Sequence, residues 1–107
     1  MTPHRMSQPV PIPTADWLTF ESLAKRWRSS AHDVARGVVL QGLAGLARGV
    51  VTPPATPMAA AVRRVNLGAD IAPRLATLAT WRGEPLAATC AAAVRVGLQH
   101  LDRVVMQ

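Results

Sequence analysis

A chain of 107 residues, half of them apolar, can build one compact unit with a modest core, and it is short for an enzyme that needs a deep pocket. Twelve basic residues, eleven of them arginine, stand against six acidic ones. The net charge of +6 therefore points to an anionic partner, nucleic acid before an acidic protein or a membrane surface, although a GC-rich genome also favours Ala and Arg. The single cysteine excludes an intrachain disulfide and suits a reducing cytoplasm.

Residues 1–8 carry no pattern and read as a flexible arm, with no apolar run of the kind a secretory signal needs. Pro9-Val10-Pro11-Ile12-Pro13 follows. It reads either as a polyproline linker or as an outer strand with its prolines on one edge, pairing through Val10 and Ile12 on the other. Thr14 or Asp16 can cap the next helix, which runs to about Arg28 and places Trp17, Phe20, Leu23, Ala24 and Trp27 on one face. Lys25, Arg26 and Arg28 make its end basic, as the helix dipole favours. Ser29-Ser30 breaks the pattern, and Ser30 with Asp33 fits a capping box. The helix so begun carries Ala31, Ala35, Val38, Val39, Gly42, Leu43 and Leu46 on one side. Gly37 to Ala47 is uncharged but too short to span a bilayer.

Residues 48–60 form the linker, with Pro53, Pro54 and Pro57. A strand is expected over about 61–68, where Val65 and Leu67 face a core and Arg64 and Asn66 face outward. Arginine and asparagine are the side chains that bind guanine and adenine edges bidentately. Asp70 is placed to cap a helix burying Ile71, Leu75, Leu78 and Ala79, and Gly83 to stop it in the left-handed conformation. Pro85 opens the last helix, which buries Leu86, Cys90, Ala93, Val94, Gly97, Leu98 and Leu101.

The two halves superimpose at a shift of 55 residues without a gap. Val10 and Ile12 fall on Val65 and Leu67, and a shared Gly-Leu-x-x-Leu places Gly42 on Gly97. A glycine inside a helix costs about 1 kcal/mol relative to alanine, so its recurrence at one register argues for a close helix crossing in each half.

No catalytic constellation emerges. His4, His32, His100 and Cys90 lack metal-ligand spacing, and Gly42, Gly45 and Gly49 do not follow a strand as a phosphate loop would. Asp33, Asp70 and Glu84 are accounted for as helix-start acids. Trp17, Trp27 and Trp81 read as core or interface anchors before base-stacking platforms. The sequence thus implies no enzyme, no metal and no cofactor.

Over about Val62 to Leu101 the chain resembles the ribbon-helix-helix family of Arc/MetJ-type DNA-binding proteins: a short alternating strand, an Asp cap, a three-turn helix, Gly83, then a second helix. The resemblance implies a mainly α fold with a short β-ribbon that enters the major groove of duplex DNA. Base contacts then fall to Arg64 and Asn66, helped by Val62 or Arg63. Phosphate contacts fall to the start of the second helix, at Glu84, Pro85 and Leu86. Residues 9–47 resemble the same unit in degenerate form, with Pro9 at the position of Arg64 and Pro11 at that of Asn66. Their phosphate end is better equipped, with Arg28, Ser29 and Ser30. Residues 61–107 would be the second copy, and one chain would form a tandem pseudo-dimer, unless a homodimer pairs the 63–68 strand with itself. The expected role is a cytoplasmic transcriptional regulator, such as a repressor, or a bacterial plasmid-maintenance or conjugation accessory factor. A protein-interaction module on the same helices is the alternative.

Overall fold

A computed structural model describes residues 9–49 and 61–105. The expected arm and most of the proline-rich linker lie outside the described residues. The order is β1 (Val10–Pro13), α1 (Thr14–Trp27), α2 (Ala31–Ala47), β2 (Val62–Val65), α3 (Ile71–Arg82) and α4 (Leu86–Val105). This is a mainly helical fold with one small antiparallel sheet, and none of the described helices is long and apolar enough to cross a membrane.

β1 pairs with β2 in the register Val10↔Val65, Pro11↔Arg64, Ile12↔Arg63 and Pro13↔Val62. The Thr14 N–H continues this ladder to the Ala61 carbonyl at 2.9 Å. Strand alternation then turns the Val10 and Ile12 amides toward β2 and leaves Pro11 and Pro13 on the outer edge, where no donor is needed. The proline segment is therefore a strand. Val65 lies opposite Val10 of the same chain, its counterpart at the shift of 55.

Val10, Ile12, Val65 and Leu67 are buried from the ribbon side, and they join a core that includes Phe20, Val39, Leu46, Ile71, Leu75 and Val94 from the helices. The most extensive packing joins α2 to α4. At Gly42 a Cβ would collide with the carbonyl of Ala93, and at Gly97 with that of Val38. The two glycines thus serve one crossing reciprocally, since Val38 and Ala93 are also 55 residues apart. The helix ends repeat as well. Arg28 is left-handed (φ 54°), with Ser29 N–H on Ala24 O at 2.8 Å. Gly83 is left-handed (φ 68°), with Glu84 N–H on Ala79 O at 3.0 Å. Both are the six-to-one closure that satisfies orphan carbonyls at a helix end.

Several local expectations are corrected. Neither Thr14 nor Asp16 caps α1: Pro13 holds the cap position, and Asp16 sits inside the first turn, buried. β2 is shorter than 61–68 because the Asn66 Oδ1 accepts from Gly68 N–H at 3.1 Å, a turn that ends the strand. Asp70 occupies the cap position of α3 without a capping bond. α4 begins one residue after Pro85, whose carbonyl accepts from Thr89 N–H. Leu86 is 37% exposed, and the buried stripe starts at Thr89 and Cys90 and widens to Val96. A wide stripe is required because α4 packs on α2, α3 and β1 at once. Trp27, on the last residue of α1, is 44% exposed, and Trp81 is 73% exposed, so of the three tryptophans only Trp17 is a core residue. Ser30 does cap α2, its Oγ accepting from Asp33 N–H at 3.1 Å.

Candidate nucleic-acid interface

The face of the ribbon turned away from the core carries Pro11 and Pro13 from β1, and Val62 and Arg64 from β2, as the register dictates. The two prolines are buried, whereas Val62 and Arg64 are exposed. β2 thus presents its outward side chains and β1 does not. Asn66 is exposed two residues beyond Arg64, outside the strand, with its side-chain oxygen engaged by Gly68. Arg63 does not join this group. It alternates to the face of Val65, and its guanidinium lies 5.2 Å from the centre of the Trp17 ring, a cation–π contact. His32 meets the same ring edge-on at 5.1 Å.

The junction between β2 and α3 is held by a residue without any sequence signal. Arg36 of α2 donates from Nη1 to the Leu67 carbonyl at 2.9 Å and to Asp70 Oδ1 at 2.7 Å, and from Nη2 to Asp70 Oδ2 at 2.8 Å. This fork holds the Asp70 carboxyl well below the usual range, at about 2.

The two helix starts differ chemically. Before α2, Arg28, Ser29 and Ser30 are all exposed, and the only acid in the first turn is Asp33. Before α4, the Glu84 carboxylate accepts from Arg82 Nε at 2.6 Å and from Thr89 Oγ1 at 3.3 Å. The Arg82 bond lowers its pKa, so the group stays ionised at the helix terminus. An incoming phosphate beside Pro85 and Leu86 would meet that negative charge, and Pro85 offers no amide.

No protein family, curated protein or solved structure matches this chain. The chemistry of the site therefore rests on its residues.

Among the described residues no group of three or more His, Cys, Asp or Glu is placed to hold a metal ion. Cys90 is fully buried, and burial, with the Asp16 charge adding to it, pushes its thiol up to about 12. It stays protonated and acts as a small apolar side chain. Asp16 is the one buried carboxylate among the described residues. Burial raises its pKa against the opposing pull of Arg95, 3.6 Å away, and its Oδ2 has no hydrogen-bond partner.

Proposed function

We propose that the chain is a tandem ribbon-helix-helix unit that binds duplex DNA through the outward face of β2 in the major groove, as a small transcriptional regulator or plasmid accessory factor. The observation that carries this reading is the exposed Arg64 on the outer face of a two-stranded ribbon, in a protein of charge +6. Base contacts are assigned to Arg64 and Asn66, with Val62 beside them on the groove face. Phosphate contacts are assigned to the α2 start, with Arg28, Ser29 and Ser30, in preference to Glu84, Pro85 and Leu86. Arg28 supports this assignment. It is the only non-glycine residue with positive φ among those described, whereas its counterpart is Gly83. A side chain kept in a backbone conformation that costs roughly 1–2 kcal/mol is one whose chemistry is worth that strain.

A protein-interaction module is the second reading, and a specific feature favours it. An apolar groove of about 560 Å³ runs between α2 and α3, lined by Leu40, Leu43, Pro73, Leu78 and the exposed Trp81.

One experiment separates the two. Arg64→Ala should cost about 1–3 kcal/mol on a preferred duplex and leave scrambled DNA nearly unaffected. Arg28→Gly, which relieves the backbone strain, should weaken both duplexes alike and lower the salt slope by about one unit. Equal losses on both duplexes for both variants would mean that the ribbon does not read sequence. No change in either would leave the interaction module.

A further inference from the structure

Arg36 belongs to the first half of the chain, yet both its terminal nitrogens bond to the second. It grips Leu67 O and both oxygens of Asp70, and so spans the junction between β2 and α3. Gly68 lies inside the grip with φ +113°, and a Cβ there would come within 2.7 Å of Arg36 Nη1. On either side of Asn66, Val65 and Leu67 are buried. The backbone that carries Arg64 and Asn66 is thus fixed below by apolar anchors and beyond by a bidentate ion pair. Among the described residues the first half has no such fork: its nearest parallel is the single 3.6 Å contact of Arg95 with Asp16 in the first turn of α1. At the shift of 55, Ala91 stands at the place of Arg36 and Ala15 at that of Asp70, and β1 runs directly into α1. Among the described residues the bidentate fork lies on the side where the outward strand residues are exposed.

We infer that Arg36 is a positioning residue for sequence recognition: by fixing the path of Asn66–Asp70 it sets the direction in which Arg64 and Asn66 leave the ribbon. The inference rests on the DNA reading above. A two-stranded ribbon is marginal by itself, and bidentate recognition of a base edge tolerates only about 0.5 Å of misplacement, so an unbraced strand would bind DNA without discriminating among sequences.

The test uses the full chain, a duplex selected from a random pool, and a scramble of that duplex. Arg36→Lys keeps the charge and loses the fork, and Asp70→Asn keeps the shape and removes the opposite partner. Each should lower the ratio of specific to scrambled affinity by about tenfold, the size of one good base contact, with scrambled affinity unchanged in Arg36→Lys and no weaker in Asp70→Asn. A merely structural brace would reduce the active fraction and both affinities together, leaving the ratio intact. A merely electrostatic one would let Arg36→Lys behave as wild type and Asp70→Asn tighten both duplexes equally. Either pattern overturns the inference. Arg64→Ala is measured alongside. If it collapses the ratio while both brace variants preserve it, the brace fails and the DNA reading stands. If the wild type shows no discrimination, or Arg64→Ala does not change it, the DNA reading fails and takes the inference with it.

Discussion

The first half of the chain closes its strand and leaves its helix start open, and the second half does the reverse. Pro11 and Pro13 are buried while Val62 and Arg64 are exposed. Ser29 and Ser30 are exposed before α2 and carry no acid between them, while Glu84 is tied to Arg82 and Thr89 before α4. Packing positions behave differently from these surface positions. Gly42 and Gly97 occupy one crossing from both sides, and Arg28 and Gly83 make the same turn. The halves thus differ at the ribbon face and at the helix starts, and they share a framework at the helix crossing and at the turn that ends the first helix of each. Asp16 is an exception inside the framework, because its counterpart is the fully buried Ile71.

The shared framework is broken most directly at the crossing. Gly42→Ala and Gly97→Ala should each destabilise the protein by about 3 kcal/mol or more, since backbone carbonyls would have to move. Urea denaturation measures both, and a large loss at one with tolerance at the other would show that the crossing is not reciprocal.

The Asp16 exception should respond in the opposite direction. Asp16→Leu has nearly the same branching, and Arg95 is exposed enough to lose its partner without being stranded. A gain of roughly 1–2 kcal/mol at neutral pH is expected from removing a buried, half-satisfied charge. The pKa of Asp16 is raised in the folded state, so the folded protein takes up a proton first and stability improves as pH falls through that value toward 3.8. The variant should lose this improvement, and thermal melts at several pH values would reveal it.

A smaller gain is expected at Gly37, where a Cβ would meet no atom within 4 Å and the counterpart is already Ala92. Gly37→Ala should add about 0.5–1 kcal/mol through helix propensity. A loss there would mean that the halves differ along α2 itself. The shallowest effect belongs to Asp70. Its pKa is depressed to about 2, so the Arg36 bond contributes stability above about pH 4 that disappears as pH falls toward 2. In Arg36→Lys the Asp70 pKa should return toward 3.8, so this acid-dependent loss should shrink, which melts between about pH 2 and pH 5 would show.

Much of the framework was legible because its signals are local. Alternation around Val65 and Leu67, the Ser30 cap, the Gly83 stop and the proline edge each follow from the covalent geometry of a few adjacent residues. The shared register of Gly42 and Gly97 needed only the comparison of two segments, but it suggested a crossing in each half. The single crossing that both serve came from the packing of α2 on α4. The failures share a different cause. Thr14 and Asp16 have the composition of caps, but Pro13 starts the helix earlier and tertiary packing draws Asp16 inward. Arg36 finds Asp70 across 34 residues, and Arg63 finds Trp17 on another element. No periodicity encodes such meetings. The same holds for the outward face, where Pro11 and Arg64 are neighbours only because the strands pair.

That pairing, Val10 against Val65 within one polypeptide, makes closure of the ribbon a first-order event. Strands contributed by two separate molecules come apart on dilution, whereas tethered ones face each other at an effective concentration of order millimolar whatever the amount of protein. The thermal midpoint should not move with protein concentration, and scarcity in the cell would not unmake the ribbon. There is a genetic consequence too. A substitution in a symmetric dimer appears twice at the ribbon, whereas in a ribbon closed within one chain it appears once, so prolines on one strand are compatible with an arginine on the other.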